Sequence, residues 1–253
     1  MAQRAQKMEA FLKYLEFIPA YIIDLVALIT SPKTFLKNRN RGHENWPPAL
    51  RFFGFSAILG FILLQFSNTP IPFLPKDNNV LMNIAKATVF WGVYILFGAA
   101  AIKVSWKLVG GKASFDSTLL THMYCFSMFI LIAIIFALIG NGLIKSIFPD
   151  FYDASVKLSQ KGIASMLVDI KEQQQYVAEM GVGGIKMVVL SFIGFLTSLG
   201  YCIWIIATWG AYRDLNNASR SRSFVAFIIA CVLFVLVSGM LLQLQSPASS
   251  GAS

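Results

Sequence analysis

Apolar residues in this chain fall into long, nearly unbroken runs separated by short polar stretches. Five runs stand out, at about 49–66, 87–108, 118–143, 186–210 and 223–243. A helix needs ~20 apolar residues to cross ~30 Å of hydrocarbon. In lipid, only helices and closed barrels satisfy their own backbone. These runs lack the ~10-residue apolar/polar alternation of a membrane barrel. The pattern therefore predicts an all-α, polytopic membrane protein with five transmembrane helices.

Ahead of the first run the period changes. Phe11, Leu15, Ile18, Ile22, Leu25 and Ile29 recur at steps of four and three, opposite Glu9, Lys13, Glu16, Ala20, Asp24 and Ala27. That spacing makes an N-terminal amphipathic helix. As a span it would carry Lys13, Glu16 and Asp24 into the bilayer, at about 2–3 kcal/mol each near the centre. An interfacial helix is the expectation, and packing on the cytoplasmic ends of the spans is compatible with it. Pro19 lacks an N–H and should kink this helix or start another. Ser31-Pro32 should end it, because proline biases its predecessor away from the helical region. A basic collar follows, with Lys33, Lys37, Arg39 and Arg41 before Trp46 and Arg51 after it. Trp46-Pro47-Pro48 leads into the first span, tryptophan suiting the headgroup level and proline a helix start. The expected division is a cytoplasmic N-terminus at 1–48, a five-helix domain at 49–243 with an outer loop at 144–185, and a flexible tail at 244–253.

The connections carry further signals. Pro70, Pro72 and Pro75 forbid a regular helix after span one and predict a hairpin along the membrane surface. Lys103 lies near the end of span two, where it can snorkel to the interface or line a cavity. Gly110-Gly111 predicts a tight turn, with Ser114 capping the next helix and Asp116 in its first turn. His122 near the start of span three reads as a hydrogen-bonded packing residue. With Lys103 it is a polar intramembrane candidate for proton or transport chemistry. In the outer loop, Val156, Ile163, Leu167, Ile170 and Val177 share one helical face. They predict a surface helix that docks a partner or simply connects two spans. Ser56/Gly60, Gly194/Ser198 and Ala226/Ala230 are small pairs at four-residue spacing, suited to close helix packing within one chain or in a homodimer.

Composition sharpens this picture. The 253 residues are 57% hydrophobic and 13% charged, about half the charged share of a soluble domain. The net charge of +9 reflects where Lys and Arg sit rather than a nucleic-acid surface. With the N-terminus inside, 14 of the 21 Lys and Arg fall in inside segments and 7 outside. Basic residues stay on the cytoplasmic side, which places the N-terminus inside and the C-terminus outside. Lys33, Lys37, Arg39, Arg41, Trp46, Arg213, Arg220 and Arg222 are the expected membrane-surface or partner contacts. Cys125, Cys202 and Cys231 sit singly in apolar runs and read as small hydrophobes, not as metal ligands or disulfides. No cleavable signal is expected, since no short apolar core with a small-residue cleavage site opens the chain. No carboxylate pair, nucleophile–base spacing, zinc motif or phosphate loop appears, so no enzyme, cofactor or metal is expected.

Leu28-Ile29-Thr30-Ser31-Pro32-Lys33-Thr34-Phe35, the Trp46-Pro47-Pro48 entry, Gly110-Gly111 with Phe115, and the five runs together resemble the Yip-domain family over about residues 25–243. These are Ypt/Rab-GTPase-interacting-type integral membrane proteins. The resemblance implies a five-helix membrane domain with a cytoplasmic N-terminus. Eukaryotic members occupy Golgi and endoplasmic-reticulum membranes, bind small GTPases or shape membranes. This chain lacks their long polar N-terminal region and looks like bacterial members, which implies a bacterial cytoplasmic membrane, with the Golgi or endoplasmic reticulum as the alternative. The expected function is a non-enzymatic scaffold, accessory subunit or membrane-organising factor. Its expected partners are the bilayer and other membrane proteins or copies of itself. The alternative is a transporter or lipid-handling protein using Lys103, His122, Gln65 and Asn141.

Overall fold

The computed structural model describes residues 17–39, 46–65, 80–153 and 184–245. Seven helices of eight residues or more run through them. They are α1 (Phe17–Thr30), α2 (Pro32–Arg39), α3 (Trp46–Gln65), α4 (Val80–Leu108), α5 (Phe115–Ile147), α6 (Ile185–Leu215) and α7 (Arg220–Gln245). Residues 149–153 are helical as well. The start of the amphipathic segment, Arg41, the proline hairpin, the Val156-to-Val177 face and the tail lie outside the described residues.

Helices α3 to α7 occupy the five apolar runs and extend beyond most of them. Helix α4 begins at Val80 rather than 87, and α6 continues through Arg213 to Leu215. Among the described residues, three segments are long and apolar enough to cross a membrane: Trp46–Leu63, Phe115–Ile147 and Lys186–Leu215. Helix α1 is apolar but shorter.

Helix α5 is the centre of the bundle, touching α3, α4 and α6, while α7 packs on α4. Every residue from Thr118 to Met128 is buried. A helix apolar all round can be enclosed on all sides, whereas an amphipathic one cannot. The core is lopsided. It takes Ala49 and Phe52 from the start of α3, Ile102 and Trp106 from the end of α4, Tyr212 from the end of α6 and Ala226 from the start of α7. All of these lie near one end of the bundle. Toward the other end, α6 exposes Met187, Val188, Phe192 and Phe195, a surface suited to lipid.

The two turns at the packed end are tied to each other. Gly110 has φ +83° and Gly111 N–H donates to the Trp106 carbonyl at 2.7 Å, closing α4 with the left-handed residue that such a C-cap requires. Ser114 caps α5, its hydroxyl accepting from Ser117 N–H at 3.1 Å. The Lys103 ammonium donates to the Ala113 carbonyl, so this lysine reaches back to the turn. Asn216, 2% exposed, spans both turns. Its Oδ1 accepts from Ala113 N–H at 3.2 Å and its Nδ2 donates to the Tyr212 carbonyl at 2.9 Å.

Two small pairs sit in tight interfaces. Ser56 is buried, and a Cβ on Gly60 would lie 3.0 Å from Ile134 of α5. Ala226 and Ala230 are buried in α7. Gly194 and Ser198 are exposed on α6.

Candidate functional site at the capped end of the bundle

The basic collar is itself a helix. Pro32 fits the first helical position, where its missing N–H is no loss, and Phe35 N–H donates to the Ser31 carbonyl at 3.0 Å. Eight residues give one face to the bundle and the other to solvent. The inner face buries Phe35 and Leu36. Phe35 meets Tyr124 of α5 edge-on at 5.2 Å, and Tyr124 in turn packs on Phe52 of α3 at 5.1 Å. Such aromatic pairs add about 0.5–1.5 kcal/mol beyond their buried area. Helix α2 also lies against α6.

Helix α1 folds back over the start of α3. Leu28 is 0% exposed, and Tyr21 packs on Phe52 while its hydroxyl lies 3.1 Å from that of Ser56. Ile18, Ile22, Ile23, Val26 and Ile29 are exposed, an apolar stripe turned away from the bundle. The described helix starts at Phe17, which puts Pro19 in its first turn, where proline is tolerated. Asp24 is consumed within this cap, since Arg39 of α2 pairs with it.

The expected surface cations separate into three groups. Lys33 pairs with Asp214 of α6 at 2.9 Å, and Arg213 reaches the same carboxylate at 3.4 Å. Arg39 is spent on Asp24 and lies over the Phe35 ring at 5.5 Å. Lys37, Arg220 and Arg222 are exposed. Trp46 is half-buried at the start of α3. A half-open cleft of about 620 Å³ lies between α2 and the α6–α7 turn, lined by Lys33, Lys37, Arg213, Asp214, Thr121 and Leu36 among others. It brings together three of the predicted cations and leaves Arg220 and Arg222 beyond its lining.

Asp214, Asp24 and Asn216 were not singled out by sequence reading. An acid at the end of an apolar run, and an asparagine just after it, were the available signals. The collar's helix also had a signal, because Ser31-Pro32 reads equally as a helix start.

His122 lies inside the bundle. It is 5% exposed, with Nδ1 3.2 Å from the Tyr212 hydroxyl and its ring stacked on Phe126 at 5.6 Å. Nε2 has no hydrogen-bond partner among the described residues and abuts Gly98, where an added Cβ would approach to 2.5 Å. Trp204 Nε1 donates to the Cys125 carbonyl at 3.2 Å, and Trp106 stacks on Trp209 at 5.3 Å. No cluster of His, Cys, Asp or Glu able to hold a metal occurs among the described residues.

The Lys33–Asp214 pair is half-exposed, with side-chain exposures of 50% and 31%. Exposed pairs contribute about 0–1 kcal/mol. A double-mutant cycle of Lys33→Ala and Asp214→Asn, read by thermal unfolding in detergent, should therefore give a coupling under about 1 kcal/mol. A larger coupling would mean that the pair, not the apolar face, holds α2 in place.

An enclosed central helix, a packed end under two short helices and long apolar helices define an integral, all-helical membrane protein. The family model described as the Yip1 domain matches residues 26–242. The chain belongs to that family. No curated protein and no solved structure matches it significantly.

Proposed function

We propose that this Yip1-domain protein is a five-span membrane-organising scaffold or accessory subunit, non-enzymatic, with its N-terminus and helix-capped end in the cytoplasm. The bacterial cytoplasmic membrane is the expected site. One observation carries the reading: α1 and α2 are docked on one end of the bundle, where Lys37 of α2 and Arg220 and Arg222 at the start of α7 are exposed. A rigid charged platform at the headgroup level is suited to hold anionic lipid and a protein partner together. The polar groups inside the bundle support the same reading. Lys103 bonds the Ala113 carbonyl and His122 Nδ1 meets the Tyr212 hydroxyl, contacts that tie helices and turns together.

The test is native mass spectrometry of the full chain, extracted from its native membrane in a mild detergent. A stoichiometric protein partner is expected. Lys37→Glu combined with Arg39→Glu and Arg41→Glu should remove that partner or lower the amount inserted with the N-terminus inside. A lone chain in both wild type and variant, at equal abundance and topology, overturns the scaffold reading.

A further inference from the structure

We propose that the cleft between α2 and the α6–α7 turn binds the phosphate of an anionic phospholipid headgroup. The inference rests on the lipid half of that platform reading and needs no protein partner. It starts from charge. Lys33, Lys37 and Arg213 line the cleft against one carboxylate, Asp214, so the cleft is net cationic. Asp214 already receives Lys33 at 2.9 Å and Arg213 at 3.4 Å. It holds two cationic ends in the wall of the cavity, ready to turn to an incoming anion. Lys37 is exposed beside them.

Location gives the second argument. The cleft sits where α6 ends and α7 begins. Trp209 Nε1 of α6 donates to the Ser223 carbonyl of α7 at 3.1 Å, and Trp46 opens α3 at the same end of the bundle. Aromatic and basic residues together mark the headgroup level of a membrane protein. The positive end of the α7 dipole points to the same region, with Ser219 at its start lining the cleft.

Shape gives the third. A volume of about 620 Å³ falls within the roughly 300–1,000 Å³ of small-molecule sites. It exceeds the needs of a bare phosphate and suits a phosphoglycerol headgroup. The wall is not uniformly polar. Leu36, Ala211 and Leu215 also line it, a surface for the glycerol backbone beneath a phosphate held at the rim. A neutral headgroup would carry its own cation against Lys33, Lys37 and Arg213, so phosphatidylcholine should bind poorly.

The full-length protein, delipidated in a neutral detergent, is titrated with dihexanoyl-phosphatidylglycerol, dihexanoyl-phosphatidylcholine or inorganic phosphate. Bound adducts are counted by native mass spectrometry. One saturable phosphatidylglycerol site is expected, with phosphatidylcholine and inorganic phosphate each weaker by about tenfold or more. Lys33→Ala with Lys37→Ala and Arg213→Ala should weaken phosphatidylglycerol by at least about tenfold. Asp214→Asn should tighten it, because the competing carboxylate is gone. Lys145→Ala with Lys186→Ala removes cations that lie over Tyr152 and Phe148, away from the cleft, and should leave binding unchanged. Thermal unfolding of each variant in the same detergent confirms that it is folded. Unchanged binding in the triple variant overturns the proposal, as does an equal loss in the Lys145/Lys186 variant. Inorganic phosphate as tight as phosphatidylglycerol would overturn the lipid as the source of the phosphate. Weaker binding in Asp214→Asn would also overturn it, by making that carboxylate part of the site.

Discussion

Alanine at Gly111 is expected to destabilise the protein by about 2–5 kcal/mol. A Cβ built there lies 2.5 Å from Asn216 Oδ1 and 2.8 Å from the Trp106 carbonyl oxygen. The carbonyl belongs to the last turn of α4 and accepts from Gly111 N–H itself, so it cannot retreat without undoing the C-cap. Asn216 can move, but only by releasing Ala113 N–H and the Tyr212 carbonyl inside a closed site. A buried donor or acceptor left unpaired costs about 1–3 kcal/mol. The readout is the thermal unfolding midpoint in one detergent. It should fall by several degrees, whereas Gly142→Ala, with nothing within 4 Å of its Cβ, should hold or rise. Asn216→Ala alone should also destabilise. The two substitutions together should cost less than their sum, because removing the amide opens room for the new methyl. Equal midpoints for Gly111→Ala and Gly142→Ala would refute the idea that these two turns lock each other.

Much of this architecture was legible because lipid leaves few alternatives. The five apolar runs are five helices, and among the described residues three of them are long and apolar enough to cross a membrane, where backbone groups have no partner but their own helix. Gly110-Gly111 and Ser114 behaved as their local chemistry requires, one allowing positive φ and the other capping α5. What pattern reading missed was tertiary. The collar reads as a charged membrane-surface segment because four cations outweigh Phe35 and Leu36 in any average, yet those two apolar residues at adjacent positions are buried in the packing of α2. Asp24 looked like part of a polar stripe, and its partner Arg39 lies 15 residues away across a helix break, beyond helical periodicity. The cleft was invisible for the same reason. Lys33 and Arg213 are 180 positions apart in the chain, and only the docking of α2 on α6 brings them to one rim.

That docking leads to the second large effect. Leu36→Asp is expected to release α2 from the bundle while the spans stay assembled. Leu36 is 2% exposed, beside Phe35 and within the same core as Leu28. An unpaired carboxylate there costs about 3–5 kcal/mol, and Asp214 on the facing helix adds repulsion. The ion pair to Lys33 contributes too little to offset this, because it is half-exposed. Undocking should open Thr121, which is 2% exposed and lines the cleft beneath α2. With Cys125, Cys202 and Cys231 changed to alanine and Thr121→Cys introduced, a membrane-impermeant maleimide reports the opening. Labelling in Leu36→Asp should exceed that in the parent by about two orders of magnitude, the population change of ~3 kcal/mol. Lys33→Ala should leave it near the parent rate. Equal labelling in Leu36→Asp and parent would mean that α2 does not cover Thr121, and the cleft would then lose its second wall. A rise confined to Leu36→Asp would locate the hold in two apolar side chains. Lys33 would then be free to meet lipid headgroups, because its ion pair is not needed to keep the helix in place.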